Sequence, residues 1–306
     1  MNKIFVLVNP ASANGSTREV WPKIAEEMKR RGLEFEAHLT TAAGNATDAV
    51  RNALKNGKTT IVSVGGDGTA NEVVNGFFEG ETPINPDARL GIISRGTGCD
   101  LIKTLGIPKD YEGALDVIAR NREKVIDLAL VEYTREDGNL GQRWFANIID
   151  AGLGGVVCKR VNSVSKSAGG LLSYLSGTLC TVLSYKNRHI LIEADGEPIY
   201  DGPVILAGVA NGKYFGGGMH LAPIARIDDG KLDLILVRGM GKLPLLVNLM
   251  RIYRGTHLTH PKISTHLVSE IRFNGEAPLE IEMDGETPGY TPLRIQAKPA
   301  AIKVLC

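Results

Sequence analysis

The apolar positions of this chain change rhythm partway along, and the change divides it in two. Residues 3–9 form a β-rich apolar run broken by Asn9-Pro10, the length of one buried strand. Val20, Ile24 and Met28 then recur every four residues, with Trp21 and Ala25 beside them. That spacing predicts an amphipathic helix over 18–31, closed by Gly32. Leu33 to Leu39 reads as a second strand, and Ala46, Ala49, Val50, Ala53 and Leu54 form a second helical stripe that stops near Gly57. Residues 59–64 and 89–94 are two further strands. Strands spaced by helices of this length call for right-handed crossovers and a mostly parallel sheet. Ligands bind beyond the carboxyl ends of such strands, so the loops after residues 9, 39, 64 and 94 are expected to converge on one site.

From about residue 125 the pattern becomes that of hairpins. Segments 125–133, 144–150, 189–194, 204–209, 232–237 and several after 263 read as strands, joined by turn signals such as Asp195-Gly196 and Asp284-Gly285. Two stretches between them, 169–185 and 242–254, carry helical stripes. The expected fold is an α/β domain with a mostly parallel sheet, followed by a predominantly antiparallel, sandwich-like β domain.

Composition narrows the function. The chain has 306 residues with 35 Lys+Arg against 34 Asp+Glu, so a formal charge of +1 gives no broad electrostatic grip on nucleic acid. No apolar run approaches the ~18 residues needed to span a bilayer. The apolar start is too short for a signal peptide, which makes the cytoplasm the expected location. Cys99, Cys158, Cys180 and Cys306 are scattered, indicating neither a disulfide framework nor a zinc site. The 36 glycines cluster, pointing to loops where backbone approaches something closely.

The densest cluster is Val64-Gly65-Gly66-Asp67-Gly68-Thr69-Ala70-Asn71-Glu72-Val73-Val74-Asn75-Gly76, a strand that turns through glycines straight into a helix. Backbone N–H groups at such a turn, with the positive end of the helix dipole, suit phosphate oxygens. A bare carboxylate at Asp67 would repel triphosphate, so it makes sense there with Mg²⁺ between them. A second loop, Ser94-Arg95-Gly96-Thr97-Gly98-Cys99-Asp100, repeats the arrangement on the next strand. Neither G-x-x-x-x-G-K-S/T nor a G-x-G-x-x-G after the first strand occurs, so this is no Walker loop and no standard dinucleotide fingerprint.

Together these loops resemble the diacylglycerol kinase-like lipid kinase family, which includes bacterial diacylglycerol kinases, sphingosine kinases and ceramide kinases. The resemblance covers nearly the whole chain. Val8-Asn9-Pro10-Ala11-Ser12 is similar to the opening N-P motif, Thr40 to Ala46 to a T-x-x-x-G-D/H-A segment, and Gly65 to Gly76 to G-G-D-G-T-x-N-E-V-V-N-G. Gly96-Thr97-Gly98-Cys99-Asp100 resembles G-T-G-N-D. Gly216-Gly217-Gly218-Met219, then Pro223 to Asp233, resemble G-G-G-M and P-x-A-x-x-D-D-G-x-L-D, and Asp284-Gly285-Glu286 the closing D-G-E. The first signature alone is shared with NAD kinases; the ordered set is more specific.

The resemblance implies an ATP-binding α/β domain over 1–126, joined by a returning strand at 296–306, and a β-rich lipid-acceptor domain over 127–295, with the active-site cleft between them. It implies an ATP- and Mg²⁺-dependent kinase of a lipid hydroxyl, with diacylglycerol as the default acceptor. The nucleotide would be held by Asn9, Thr40, Thr41, Gly65, Gly66, Asp67, Gly68, Thr69, Asn71, Glu72, Gly96, Thr97, Gly98 and Lys103. Asp67 would act on the Mg²⁺–triphosphate, Glu286 would accept the hydroxyl proton, and Asp229 would hold a structural Mg²⁺ with nearby carbonyls. Reversible contact with a membrane surface is expected of such an enzyme, and an edge strand leaves a homodimer open. A kinase of a soluble acceptor such as NAD, or a silent nucleotide-binding regulator, are the alternatives.

D-G-E occurs twice. Asp195-Gly196-Glu197 is read as a plain surface turn and Glu286 as the base. Two departures stand out: Cys99 replaces the family's Asn and reads mainly as a buried filler, and the opening motif is lengthened to Asn9-Pro10-Ala11-Ser12-Ala13-Asn14-Gly15.

Overall fold

The computed structural model describes residues 3–42, 44–96, 98–164, 181–182 and 184–306. Its first half alternates as β1 (Ile4–Val8), α1 (Ser16–Arg30), β2 (Phe35–Leu39), α2 (Asn45–Lys55), β3 (Thr60–Gly65) and α3 (Asp67–Gly76). A two-rung hairpin, β4 (Phe78–Glu79) and β5 (Thr82–Pro83), precedes β6 (Arg89–Ser94), α4 (Asp100–Leu105) and α5 (Tyr111–Arg120). The sheet runs β2-β1-β3-β6, all parallel. β1, β3 and β6 are buried on both faces, which is why they read as unbroken apolar runs. Edge strand β2 is half exposed. Ile24, Met28, Val50, Leu54, Val73 and Ile118 from the flanking helices complete this core.

The hairpin half comprises β7 (Glu123–Thr134), β8 (Leu140–Phe145), β9 (Ile148–Gly152), α6 (Leu153–Val164), β10 (Arg188–Ala194), β11 (Glu197–Ala210) and β12 (Leu232–Arg238). It continues with α7 (Lys242–Ile252), β13 (Ile263–Val268), β14 (Glu270–Asn274), β15 (Ile281–Met283) and β16 (Tyr290–Leu305). The pairings within it are antiparallel, around a core that includes Phe145, Ile192, Leu234, Phe273 and Ile295. The expected class, a parallel α/β domain with an antiparallel sandwich, is what forms.

The two halves share β7 and β16. The tail of β16 lies between β6 and β7, parallel to β6 at Lys303–Arg89 and antiparallel to β7. Where β16 crosses over, its pairing with β7 slips between Lys298 and Ile302. The Asp127 carboxylate fixes the slip by accepting from Ala300 N–H at 2.7 Å and Gly230 N–H at 2.6 Å.

Three local outcomes differ from what the apolar pattern predicts. That pattern marks no helix over α5; Asp110 caps it through Gly113 N–H at 2.7 Å, and Ala114, Leu115 and Ile118 bury its inner face. The strand expected over 144–150 is two strands, β8 and β9. The Asp284 carboxylate takes the N–H groups of Ala146, Asn147 and Ile148 at 3.1–3.2 Å, so a side chain replaces the ladder partner there. Most of the stripe expected over 169–185 lies outside the described residues.

Candidate active site

Loops from the parallel sheet and one hairpin from the sandwich meet at the carboxyl ends of β1, β3 and β6. β3 ends in Gly65 and α3 begins at Asp67, with only Gly66 between them. The loop after β6 lies directly against this turn: a Cβ on Gly96 would come within 2.9 Å of the Gly66 Cα, so only glycine permits the approach. After β1, Asn9 bridges the site, its Nδ2 donating to Thr69 Oγ1 at 2.9 Å and its Oδ1 accepting from Ala11 N–H at 3.0 Å. The lengthened opening motif continues as Ala13, Asn14 and Gly15, all at positive φ (52°, 54° and 88°), with Ala13 on the cavity wall. Two successive non-glycine residues in that region store strain.

The β15–β16 hairpin closes the far side. Asp284 and Gly285 form its tight turn at φ 48° and 91°, and Met283 and Glu286 exchange backbone hydrogen bonds across it. Glu286 faces Gly68, whose ideal Cβ position is 3.1 Å from Glu286 Oε1. Arg143 of β8 holds the other oxygen, Oε2, at 2.6 Å and also donates from Nε to Asn71 Oδ1 at 2.7 Å. Asn71 in turn donates to Asp284 Oδ2 at 2.8 Å and Trp144 O at 2.9 Å. The candidate base is thus positioned by a chain of hydrogen bonds that reaches across both halves.

Two cavities adjoin at Gly285. The smaller, about 360 Å³, is lined by Asn9, Gly66, Gly68, Thr69, Glu72, Gly96 and Glu286 among the residues anticipated, together with Arg95. The larger, about 590 Å³, starts at Asp67, Gly98, Asp100 and Asp284 and runs between α6 and α7 along Leu153, Leu206, Phe215, Leu245, Leu249 and Ile252.

Asp67 accepts the N–H groups of Asp100 (3.1 Å) and Leu101 (3.4 Å) at the start of α4. Burial, then the charge of Asp100, pushes its pKa up to about 6. Asp100 is anchored by Lys103 Nζ at 2.7 Å and by Gly217 N–H at 2.8 Å. Two acids that raise each other's energy, at a cavity mouth beside a phosphate-type loop, are a donor set that fits a hard divalent cation.

The anticipated residues divide. Gly65 lies beneath the loop, its Cβ position blocked by Thr69, and lines neither cavity. Asn71 is buried and faces the sandwich, for the reason that its amide and carbonyl are taken by Asp284, Trp144 and Arg143. Lys103 is committed to Gly98 O at 2.9 Å and to Asp100. Thr40 and Thr41 line neither cavity: β2 is the sheet edge, one strand too far out, and the loop after it folds onto α3 through Gly44 N–H and Glu72 Oε2 at 3.1 Å. Of the four loops expected to converge, those after residues 9, 64 and 94 do so. Thr97 lies outside the described residues. Cys99 is fully buried, with its Sγ on Gly96 O at 3.0 Å, which suits a filler.

Asp229 sits apart, exposed before β12, with Oδ1 accepting from Lys231 N–H at 3.1 Å. Nearby Asp233 is buried, and burial followed by the Asp229 charge pushes it up to about 6. Among the described residues no three His, Cys, Asp or Glu side chains group as a metal cage, so a cation here would also need carbonyl ligands. The second D-G-E, Asp195 to Glu197, is an exposed turn.

Reasoning from sequence overlooked Arg95, Asp100, Arg143, Asp284, and the pair Asp150 and Glu282 as site residues. The available signal was a charge inside an apolar strand, as in Ile148-Ile149-Asp150-Ala151 and Gln142-Arg143-Trp144-Phe145.

Residues 3–131 match the model of the diacylglycerol kinase catalytic domain, and residues 147–306 that of the YegS C-terminal NAD kinase beta sandwich-like domain. A diacylglycerol kinase of Staphylococcus haemolyticus is 31% identical over 288 residues, covering 94% of this chain and 83% of that protein. The Staphylococcus carnosus diacylglycerol kinase is 29% identical over the same share of this chain and 89% of its own. The crystal structure of a candidate diacylglycerol kinase from Bacillus anthracis superposes with a TM-score of 0.77 at 26% identity, covering 99% and 96% of the two chains. Yeast NADH kinase complexed with NADH shares the fold, with a TM-score of 0.57 at 12% identity over 99% of this chain and 82% of that one.

Proposed function

Since this chain belongs to the diacylglycerol kinase family, we propose that it transfers the terminal phosphoryl group of ATP to a lipid hydroxyl, with diacylglycerol as the reference acceptor. One observation carries the reading: an apolar cavity of about 590 Å³ opens onto the acidic end of the phosphate-type loops, beside the hairpin bearing Glu286. A long apolar chain fits such a space, whereas an adenine dinucleotide would leave its polar groups unpaired there.

Phosphoryl transfer needs positioning and charge neutralisation more than covalent help. The N–H groups around Gly66, Gly68 and Gly96, with Arg95, present donors to the phosphates. Asp67 and Asp100 would hold Mg²⁺, which when bound supplies the positive charge that offsets the triphosphate. Glu286 lies where the two cavities meet and would take the proton as the acceptor oxygen attacks. Arg143 fixes the carboxylate of Glu286 in one orientation while leaving Oε1 facing the Gly68 turn. Asp229, with the raised Asp233 beside it, is the proposed second cation site, structural in role.

The acceptor must reach the cavity from a bilayer. No helix among the described residues is long and apolar enough to cross one. α7 instead presents Leu243, Val247 and Met250, with Tyr253 following, to solvent; Met250 and Tyr253 also line the cavity. Lys242 and Arg251 flank this face. An apolar edge with basic residues beside it, continuous with the substrate cavity, suits reversible docking on an anionic surface.

The test is an ATP- and Mg²⁺-dependent phosphorylation screen over lipid extracts, with products identified by mass and NAD supplied in parallel. A phosphorylated lipid is the expected product. Phosphorylated NAD with no lipid product would replace this reading by that of a soluble-acceptor kinase, and ATP binding without transfer to either by that of a silent regulator.

A further inference from the structure

The basic side chains Arg143 and Lys103, beside the Asp67 turn, are already paired. Arg143 holds Glu286 Oε2 at 2.6 Å, and Lys103 holds Asp100 Oδ1 at 2.7 Å. The other acids there are engaged as well: Glu72 Oε2 accepts from Gly44 N–H at 3.1 Å, and Asp67 from the N–H groups of Asp100 and Leu101. Arg95, which follows β6 directly, makes no ion pair among the described residues. Its side chain reaches Ser16 Oγ at 3.4 Å, and its buried Nε has no acceptor. A guanidinium carries five N–H donors and keeps its charge at any working pH. Half-buried without a counter-charge, it gains most from an anion brought in from outside the chain.

The main chain fixes where that guanidinium starts. Arg95 N–H donates to Gly65 O at 2.6 Å, and Gly96 packs on Gly66 next to it, which pins the Arg95 backbone beside the turn. Its side chain lines the cavity of about 360 Å³ with Thr69, Ala13 and Glu286, and it is the one basic side chain to do so among the described residues. Gly66 and Gly68 line this cavity too, whereas Asp67 between them lines the larger one with Asp100. A cation held by Asp67 and Asp100 therefore lies toward the larger cavity, and Arg95 is left to supply positive charge on the other side. The loop after β1 contributes: Ala13 and Asn14 hold left-handed backbone, and the loop ends at Ser16, which Arg95 touches. Strain of that kind clusters where it shapes a site.

In phosphoryl transfer the acceptor oxygen bonds to the terminal phosphorus of ATP as the bond from that phosphorus to the β,γ-bridging oxygen breaks. The hydroxyl proton passes to Glu286, and ADP leaves with the electron pair. The phosphoryl group in transit must lie within reach of Glu286, and the cavity that Glu286 lines is the one Arg95 lines. Negative charge is spread over the outer oxygens of that group and grows on the bridging oxygen. A guanidinium fork already in place offsets both without reorganising. ADP lacks the terminal phosphate, so it would leave Arg95 without this partner.

We infer that Arg95 is a catalytic residue, a phosphoryl clamp supplied by the chain itself, whose guanidinium grips the terminal phosphate of ATP from the small-cavity side. The inference rests on the kinase reading for its reaction, while the grip on a terminal phosphate is a binding statement that can be tested without turnover.

The experiment compares the full chain with Arg95→Gln and Arg95→Lys in the presence of Mg²⁺, with circular dichroism to confirm the fold of each. Calorimetry reads the affinity for ADP and for the β,γ-imido analogue of ATP, which keeps the terminal phosphate but resists its transfer. Arg95→Gln is expected to bind the analogue about tenfold more weakly than the wild type and ADP within about twofold of it. With ATP and micelles containing diacylglycerol, its kcat should fall about 10²-fold or more while KM for the lipid holds. Arg95→Lys, which keeps the charge without the fork, should recover part of that kcat. Equal weakening of ADP and the analogue, or full turnover in Arg95→Gln, overturns the assignment. If the wild type phosphorylates no acceptor the kinase reading fails, yet a loss of affinity confined to the analogue still supports the grip on a terminal phosphate. An analogue bound equally by the wild type and Arg95→Gln rejects it.

Discussion

The two cavities that adjoin at Gly285 are walled by different parts of the polypeptide. On the proposed nucleotide side the wall is glycine-rich, with Gly66, Gly68, Gly96 and Gly285 between the polar side chains of Asn9, Ser12, Thr69, Glu72, Arg95 and Glu286. On the acceptor side it is largely side chain: Leu153, Leu206, Phe215, Leu245 and Leu249, broken by the acids Asp150, Glu282 and Asp284. Main-chain amides suit a ligand whose phosphates are the same in every turnover, and they leave little for substitution to alter. Side chains make a surface that can be re-cut for another acceptor without disturbing the phosphate loops. Specificity in this protein should therefore be changeable from the sandwich and chemistry only from the turn and hairpin.

Substitutions can break that division, and the largest effects belong to the chemical side. Asp67→Ala and Glu286→Gln are each expected to lower kcat by roughly 10³-fold or more, with folding intact by circular dichroism. Turnover within threefold of wild type in both would remove the assignment. Arg143→Leu, which frees Glu286 and leaves Asn71 without its guanidinium, should cost about 10–100-fold in kcat with KM for ATP little changed. A rise in KM for ATP alone would instead make Arg143 a nucleotide-binding residue.

Filling the other cavity should act on the acceptor alone. Leu249→Trp is expected to raise KM for the lipid by about tenfold while ATP affinity, measured by calorimetry, is retained. Loss of both would show the cavities to be coupled rather than separable. Leu243→Asp combined with Val247→Asp should weaken partitioning onto anionic vesicles about 5- to 150-fold, the equivalent of roughly 1–3 kcal/mol of lost apolar contact. Undiminished sedimentation would move the docking surface elsewhere.

A further prediction concerns pH and bears on stability rather than turnover. Burial raises Asp150 from 3.8 to about 7 in the folded chain and raises its partner Glu282 as well. Native acids then keep protons that the unfolded chain has already released, so stability falls as pH rises from about 4 to about 7. The double variant Asp150→Asn/Glu282→Gln lacks that slope, and its melting temperature should gain on the wild type across this window. Parallel melting curves for the two proteins would show the pair to be ionised and compensated by some other group.

The parallel layer was legible because its strands are buried on both faces and its helices carry clean four-residue stripes, as at Val20, Ile24 and Met28. The glycine turns were legible because a tight turn needs one glycine, whereas three surround Asp67, and the surplus marks a close approach of backbone to a ligand. What escaped depended on contacts made far away in sequence. Nothing local marks Asp284 as the residue that splits 144–150 into two strands, since its three backbone partners lie at Ala146, Asn147 and Ile148. Asn71 is assigned to the nucleotide by the family resemblance, which does not reveal that its side of α3 faces the sandwich rather than the turn. Thr40 and Thr41 were placed by motif order, which does not reveal that β2 is an edge. For Glu282 nothing local separates an outward side chain from an inward one, and only the cross-strand register with Asp150 turns it inward.

The tail of β16, threaded between β6 and β7, has a consequence for biosynthesis. While the ribosome is still making the sandwich, the nascent parallel sheet has β6 as a bare margin, because its partner at Lys303 and Val304 has not yet been made. Exposed sheet margins invite association with other chains, and pairings this distant in sequence form slowly. The first layer can acquire its helices early, but it completes its sheet only after the sandwich strands have been made, so the cell's chaperones meet this protein with its parallel half unfinished.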